Sequence, residues 1–182
     1  MKSPEVMKLE EFLPYRLSIL SNTVSNAIAE GYGERFGLSI PDWRVMAVLA
    51  RFPGSSAQDL VTWTQMDKVA VSRGVSRLLE RGLLHRVTSD VDRRRSDLRL
   101  SGEGERVYTE IVPMARAYES QLLESISPEH RALLAEILAD LQQAAEGLAA
   151  DSMAADSMAA ESTAAESTAA ESTAAESTAA DN

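Results

Sequence analysis

The chain lacks cysteine altogether and has only two histidines, His85 and His130, placed far apart. Disulfides, thiolate metal sites and thiol redox sensing are therefore excluded, and a metal enzyme is not expected. Long apolar runs are also missing. Nothing approaches the roughly 20 residues of a membrane span, and the opening Met1-Lys2-Ser3-Pro4-Glu5 lacks the apolar core of a signal peptide. The default expectation is a cytoplasmic protein with no membrane partner. Signatures of catalysis are scarce as well. The segment Gly31-Tyr32-Gly33-Glu34-Arg35-Phe36-Gly37 resembles a phosphate loop only superficially, because it follows a helical pattern and lacks the third glycine at the right spacing. There is no Gly-x-Ser-x-Gly elbow, and no serine has an evident histidine partner. These gaps argue against an enzyme and imply no cofactor.

What is present is charge, unevenly spread. The 182 residues carry a net charge of −10, with 18 Lys and Arg against 28 Asp and Glu. Seven of those acids lie beyond residue 150, where no basic residue occurs, so residues 1–150 stand at only −3. Between Arg51 and Arg99 the balance reverses, with ten basic against six acidic residues. A focused basic face on an acidic chain permits a specific anionic partner while opposing indiscriminate nucleic-acid binding.

Periodicity divides the chain into a body at 1–150 and a tail at 151–182. Residues 8–36 predict one long helix, with Phe12, Leu13, Leu17, Leu20, Val24, Ile28 and Tyr32 at three- and four-residue spacing. Ser39 caps a second helix with Pro41 in its first turn, and Pro53-Gly54 stops it. Ser56 and Asp59 form a capping box for a short third helix, Asp67 caps a fourth, and Gly82 ends it. Leu83–Thr88 and Asp97–Leu100 alternate as two strands of a hairpin. A fifth helix over 103–126 contains Pro113, which is expected to kink it. Ser127-Pro128-Glu129 opens a sixth. The outer helices, 8–36 and 103–147, carry more apolar surface than the unit at 39–100 could cover, so a homodimer built from the two ends is expected. From 151 the sequence repeats Asp-Ser-Met-Ala-Ala twice and Glu-Ser-Thr-Ala-Ala four times. A five-residue period gives a helix no continuous apolar face, which predicts a solvated, mostly disordered tail. It is either an inert spacer or a competitor of DNA for the basic face.

The fold class that follows is mainly α with a small β-wing, a winged helix-turn-helix. On the fourth helix Val71, Val75, Leu78 and Leu79 face inward, leaving Val69, Ala70, Ser72, Arg73, Ser76 and Arg77 outward or lateral. Small groups allow close approach to base edges, Ala or Val can touch a thymine methyl, and Ser or Arg can donate to bases or phosphates. Ser55, Gln65 and Lys68, just before the helices, suit phosphate contacts. Arg93, Arg94 and Arg95 repel one another on a hairpin tip, a cost without benefit unless an anion is bound. Arg94 suits a narrow minor groove, with Asp92 orienting its guanidinium.

These residues resemble the MarR family of winged helix-turn-helix regulators over roughly residues 10–145. The resemblance rests on Asp67-Lys68-Val69-Ala70-Val71-Ser72-Arg73, Leu78-Leu79-Glu80-Arg81-Gly82-Leu83-Leu84, the wing Asp92-Arg93-Arg94, and Leu100-Ser101-x-x-Gly104. It implies a triangular homodimer, a palindromic operator in double-stranded DNA, and repression relieved by a small ligand. It places recognition on helix four and an Asp-x-Arg wing pair on Asp92 and Arg94. Gly74 within the recognition helix departs from good helix chemistry at a cost of ~1 kcal/mol.

A regulator of this kind needs an effector pocket. Arg16 and Arg44 lie among apolar residues, which calls for a paired carboxylate or a bound anion. Glu10, Glu11 or an acid of a second chain would pair Arg16, and Asp42 or Glu34 would pair Arg44. The alternative is an aromatic carboxylate or its thioester, with both arginines at the anion and Tyr15, Trp43 and Met46 against the ring. Leu13-Pro14-Tyr15-Arg16-Leu17-Ser18, with Ser21, Asn22, Val24 and Ser25, resembles the branch of the family that senses hydroxycinnamates or their coenzyme A thioesters. Ser21 and Asn22 join the expected ligand set on that resemblance. Rival readings are the same fold with another effector, or a ligand-free architectural or protein-interaction module.

Overall fold

A computed structural model describes residues 6–88 and 96–179. Its order is α1 (Leu13–Phe36), α2 (Ile40–Arg51), α3 (Ala57–Thr64), α4 (Lys68–Glu80), β1 (Leu84–Thr88), β2 (Ser96–Leu100), α5 (Gly102–Leu123) and α6 (Pro128–Ala179). Two compact units emerge, Met1–Leu122 and Leu123–Asn182. Among the described residues no helix is long and apolar enough to cross a membrane.

The first unit is mostly helical around one antiparallel hairpin, in which Leu84 pairs with Leu100 and Arg86 with Leu98. Helix starts follow local chemistry. The Ser39 side chain accepts from the amide of Asp42 while the Asp42 carboxylate accepts from the amide of Ser39, and Ser56 and Asp59 repeat the arrangement on α3. Asp67 Oδ1 accepts from the amide of Ala70 at 2.8 Å to open α4. Arg81 donates to the carbonyls of Phe36 and Gly37, satisfying orphan acceptors at the end of α1. The core collects Tyr32, Val45, Met46, Leu49, Leu60, Val71, Leu78, Leu98 and Ile111, none more than 2% exposed.

One close approach explains part of the Leu100-Ser101-x-x-Gly104 signature. Ser101 Oγ donates to the carbonyl of Gly82 at 2.6 Å and accepts from the amide of Gly104 at 3.0 Å. That pins the start of α5 on the turn after α4. A Cβ at position 104 would stand 2.1 Å from the Leu83 carbonyl oxygen, so only glycine fits.

Some boundaries differ from expectation. α1 begins at Leu13 rather than residue 8, since Pro14 has no amide to donate into a helix running through 10, and residues 9–11 turn instead. α5 continues through Pro113 and ends at Leu123 rather than 126. There the Ile126 amide closes back on the Leu123 carbonyl, and Arg131 donates to the carbonyls of Leu123 and Ile126. In the second unit, α6 extends beyond 147 through the pentads to Ala179, where a mostly disordered tail was expected. The pentads hold no Gly or Pro, and Ala and Glu, three of every five residues in the later repeats, are good helix formers.

Candidate nucleic-acid interface

α3, its turn and α4 form the helix-turn-helix. Gln65 closes α3 with a left-handed backbone, φ 53°, and its side chain donates back to the Thr62 carbonyl at 2.8 Å. α4 then buries Val71, Gly74, Val75 and Leu78 and presents Lys68, Val69, Ser72, Arg73 and Ser76 to solvent, with Ala70 half-buried. This is the division the apolar spacing predicted. A groove of about 160 Å³ runs beside this face, its rim formed by Gln58, Lys68, Ser72, Ser76 and Arg86 over Val61, Val71 and Val75.

Gln58 and Arg86 had not been singled out from sequence. Arg86 shares its strand face with Leu84 by simple alternation, and that period-two pattern was the available signal. Asp92, Arg93, Arg94 and Arg95 lie outside the described residues.

Two expected DNA contacts have other partners. Arg77 turns toward α2: its Nη2 donates to Asp42 Oδ1 at 2.7 Å and to Ser39 Oγ at 3.2 Å, and its Nε donates to Asp42 at 3.2 Å. Asp42 is 3% exposed, so this arginine neutralises a buried capping carboxylate and ties α4 to α2. Ser55 is buried; its Oγ donates to the Phe52 carbonyl at 2.8 Å and its backbone pairs with Leu98 as an added bridge to the sheet. Lys68, Arg73 and Arg86, by contrast, form no ion pair among the described residues, whereas Arg35, Arg77 and Arg106 all do. Cations left without acids on one exposed face provide the charge that phosphates neutralise.

The expected ligand residues divide between two places. Trp43 and Arg44 belong to α2 beside α1. The Trp43 ring lies between Tyr32, 5.7 Å away, and Tyr108, stacked at 5.5 Å. Arg44 Nη2 donates to Ser25 Oγ at 3.4 Å and meets no carboxylate at ion-pair distance among the described residues, so neither Asp42 nor Glu34 pairs it. Burial pushes the Tyr32 phenol up from 10.0 to about 12, opposed by the positive charge of Arg44 and reinforced by Asp42. Met46, expected against a ligand ring, is 0% exposed and serves the core instead. Tyr15 and Arg16 line a separate apolar depression of about 500 Å³ along α1 with Leu13, Leu17 and Leu20. Ser21 and Asn22 are exposed on the same helix. Nine residues separate Arg16 from Ser25, about 13 Å along a helix axis, so Arg16 and Arg44 do not converge on one anion within a single chain.

A family model described as MarR family matches residues 36–95, which span α2, α3, α4 and β1. The chain is 25% identical over 107 residues to the transcriptional regulator HosA of Escherichia coli O111:H-, covering 59% of this chain and 79% of that protein. The chain is thus similar to MarR-family winged-helix transcription regulators, and its residues 36–95 carry the match. Among solved structures, a MarR/EmrR family transcriptional regulator from Acinetobacter sp. ADP1 shares the fold with a TM-score of 0.71 and 24% identity, over 77% of this chain and 99% of that one. The transcriptional repressor CouR, solved bound to a 23-mer DNA duplex, has a TM-score of 0.65 and 22% identity, over 78% of this chain and 99% of that one. The matched segment includes the groove residues Gln58, Lys68, Ser72, Ser76 and Arg86.

Proposed function

We propose that the protein is a repressor that binds a palindromic operator as a homodimer and leaves it when an aromatic acid, or its coenzyme A thioester, binds. The observation that carries the DNA-reading assignment is the face of α4. Its helix start is capped, its inner side is packed, and its outer side combines Ser72 and Ser76 with Lys68, Arg73 and Arg86, none held by an acid among the described residues. Phosphate contacts fall to Lys68 and Arg86, and base readout to Val69, Ala70, Ser72 and Arg73. The Asp92 to Arg95 wing tip adds a minor-groove contact on the strength of its sequence.

Dimerisation is supported by what the outer helices expose. Leu13, Leu17, Ile19 and Leu20 on α1, and Leu133, Leu134, Ile137 and Leu138 on α6, are each 37–57% exposed. A soluble monomer rarely leaves so many large apolar side chains uncovered on a helix. Two copies joined through these helices would present two recognition helices to major grooves one turn, ~34 Å, apart.

The effector reading now rests on Arg44 rather than on Arg16 and Arg44 together. Arg44 is a half-buried cation whose one hydrogen-bond partner among the described residues is the Ser25 hydroxyl at 3.4 Å, next to the Tyr32–Trp43–Tyr108 stack, which suits an aromatic anion. A ligand that prefers a dimer with mis-spaced recognition helices releases DNA by linkage, and a coupling of ~1–3 kcal/mol changes affinity roughly 5–150-fold. The test is to select duplexes from a random pool with the full chain, then titrate the complex with hydroxycinnamic acids and their thioesters. Enrichment of a palindrome and its release by one of these compounds are expected. Enrichment of no sequence removes the operator reading, and a complex that none of the compounds releases removes the effector.

A further inference from the structure

A second cavity lies on the other side of the hairpin from the recognition groove. It encloses about 490 Å³ between the end of α2, the base of the wing and the first turns of α5. Its apolar wall is Leu49, Pro53, Leu100 and Tyr108, and its polar groups are His85, Arg99 and Glu105. His85 and Arg99 are direct cross-strand partners, so their side chains stand next to each other on one face of the hairpin. A carboxylate placed between them could accept from both the guanidinium and an imidazole N–H. Arg99 also lies across the backbone at Gly54, where an added Cβ would meet its Nη2 at 3.3 Å.

Among the described residues no acid is within ion-pair distance of Arg99, and Glu105 has no basic partner although it lines the same cavity. The cavity thus has a cationic end and an anionic end that do not neutralise each other, above an apolar floor large enough for a small molecule. A simple carboxylate would leave Glu105 facing it, and a simple amine would leave Arg99 and His85 facing it. The ligand that satisfies both ends carries both charges.

We propose that this cavity binds a free α-amino acid with an apolar or aromatic side chain. Its carboxylate accepts from Arg99 and His85, its ammonium donates to Glu105, and its side chain packs on Leu49, Pro53, Leu100 and Tyr108. Tyr108 stacks on Trp43, so an occupant touches the aromatic stack beside Arg44 without occupying the position proposed for the aromatic acid.

Calorimetric titration of the full chain with L-phenylalanine tests this, with 3-phenylpropionate (carboxylate only) and phenethylamine (ammonium only) as matched probes. L-Phenylalanine is expected to bind at least tenfold more tightly than either. Arg99→Gln and Glu105→Gln, both at exposed positions, are each expected to weaken it at least tenfold, and Ala50→Phe, which fills the rim, to abolish it. Arg44→Gln is expected to leave it unchanged while removing the response to aromatic acids, which separates failure of this site from failure of the effector reading. Absence of heat with L-phenylalanine, equal binding of 3-phenylpropionate, or indifference to both charge substitutions overturns the proposal.

Discussion

The winged-helix unit and the helices that flank it solve the burial problem in opposite ways. Between Ile40 and Leu100 the buried apolar side chains of the described residues pack within the chain: α2 on α4, α3 on α4, and the hairpin against both α2 and α4. The starts of α2, α3 and α4 are capped by side chains. α1 and α6 expose leucines and isoleucines at helical spacing. The difference is that the unit from Ile40 to Leu100 is packed by its own sequence, while α1 and α6 leave apolar side chains exposed. It teaches how to read the arginines. Arg77 and Arg81 have acids or carbonyls as partners, whereas Lys68, Arg73 and Arg86 form no ion pair among the described residues.

The comparison breaks most sharply at the closed unit's tightest contact. Gly104→Ala forces a methyl into the Leu83 carbonyl, and the expected loss of stability is about 3 kcal/mol or more, at the upper end for overpacking, read by urea unfolding. An unchanged midpoint would show that α5 can lift away freely. A charge on the open region should act differently. Leu20→Glu on α1 is expected to leave far-ultraviolet dichroism intact, shift sedimentation toward the monomer, and weaken binding to the selected duplex at least tenfold, about 1.4 kcal/mol. A variant that stays dimeric would remove α1 from the interface.

Arg77 and Arg73 sharpen the contrast within one helix. Arg77→Ala leaves the buried Asp42 carboxylate without its cation, and a destabilisation of about 1–3 kcal/mol is expected. Arg73→Ala should stay within roughly 0.5 kcal/mol and instead change sequence preference. Thermal melts and duplex selections on both variants check the pair. A small gain in stability is expected at Gly74, where an added Cβ meets Asp42, Val45 and Pro41 no closer than 3.5 Å. Gly74→Ala should therefore stabilise by roughly 0.5–1 kcal/mol, measured in the same melts; a loss would show that α2 and α4 pack too closely for a methyl.

Local chemistry was legible in the sequence, and long-range pairing was not. Ser39 with Asp42, Ser56 with Asp59, and Asp67 with Ala70 are separated by three residues, and their caps formed where the spacing predicted. The inward and outward sides of α4 also followed from periodicity. Arg77 was assigned outward because its partner, Asp42, lies 35 residues away in the chain. Ser55 read as a helix entrance because its pairing with Leu98 is equally non-local. Met46 reads as a ligand contact in the sequence since an apolar stripe alone does not tell a core from a cleft, and it is 0% exposed. The early residues of the expected first helix were lost to a local cause, Pro14, whose missing amide deserved more weight than the apolar repeat.

The most direct test of the central claim is the salt dependence of duplex binding in Arg86→Ala and Arg77→Ala, two removals of one positive charge from neighbouring elements. Arg86 lines the groove with no acid at ion-pair distance among the described residues, and Arg77 is held by Asp42. The account predicts that Arg86→Ala lowers the slope of log affinity against log salt by about 1, while Arg77→Ala leaves the slope unchanged and lowers stability. A slope unchanged in Arg86→Ala, or reduced only in Arg77→Ala, would contradict it.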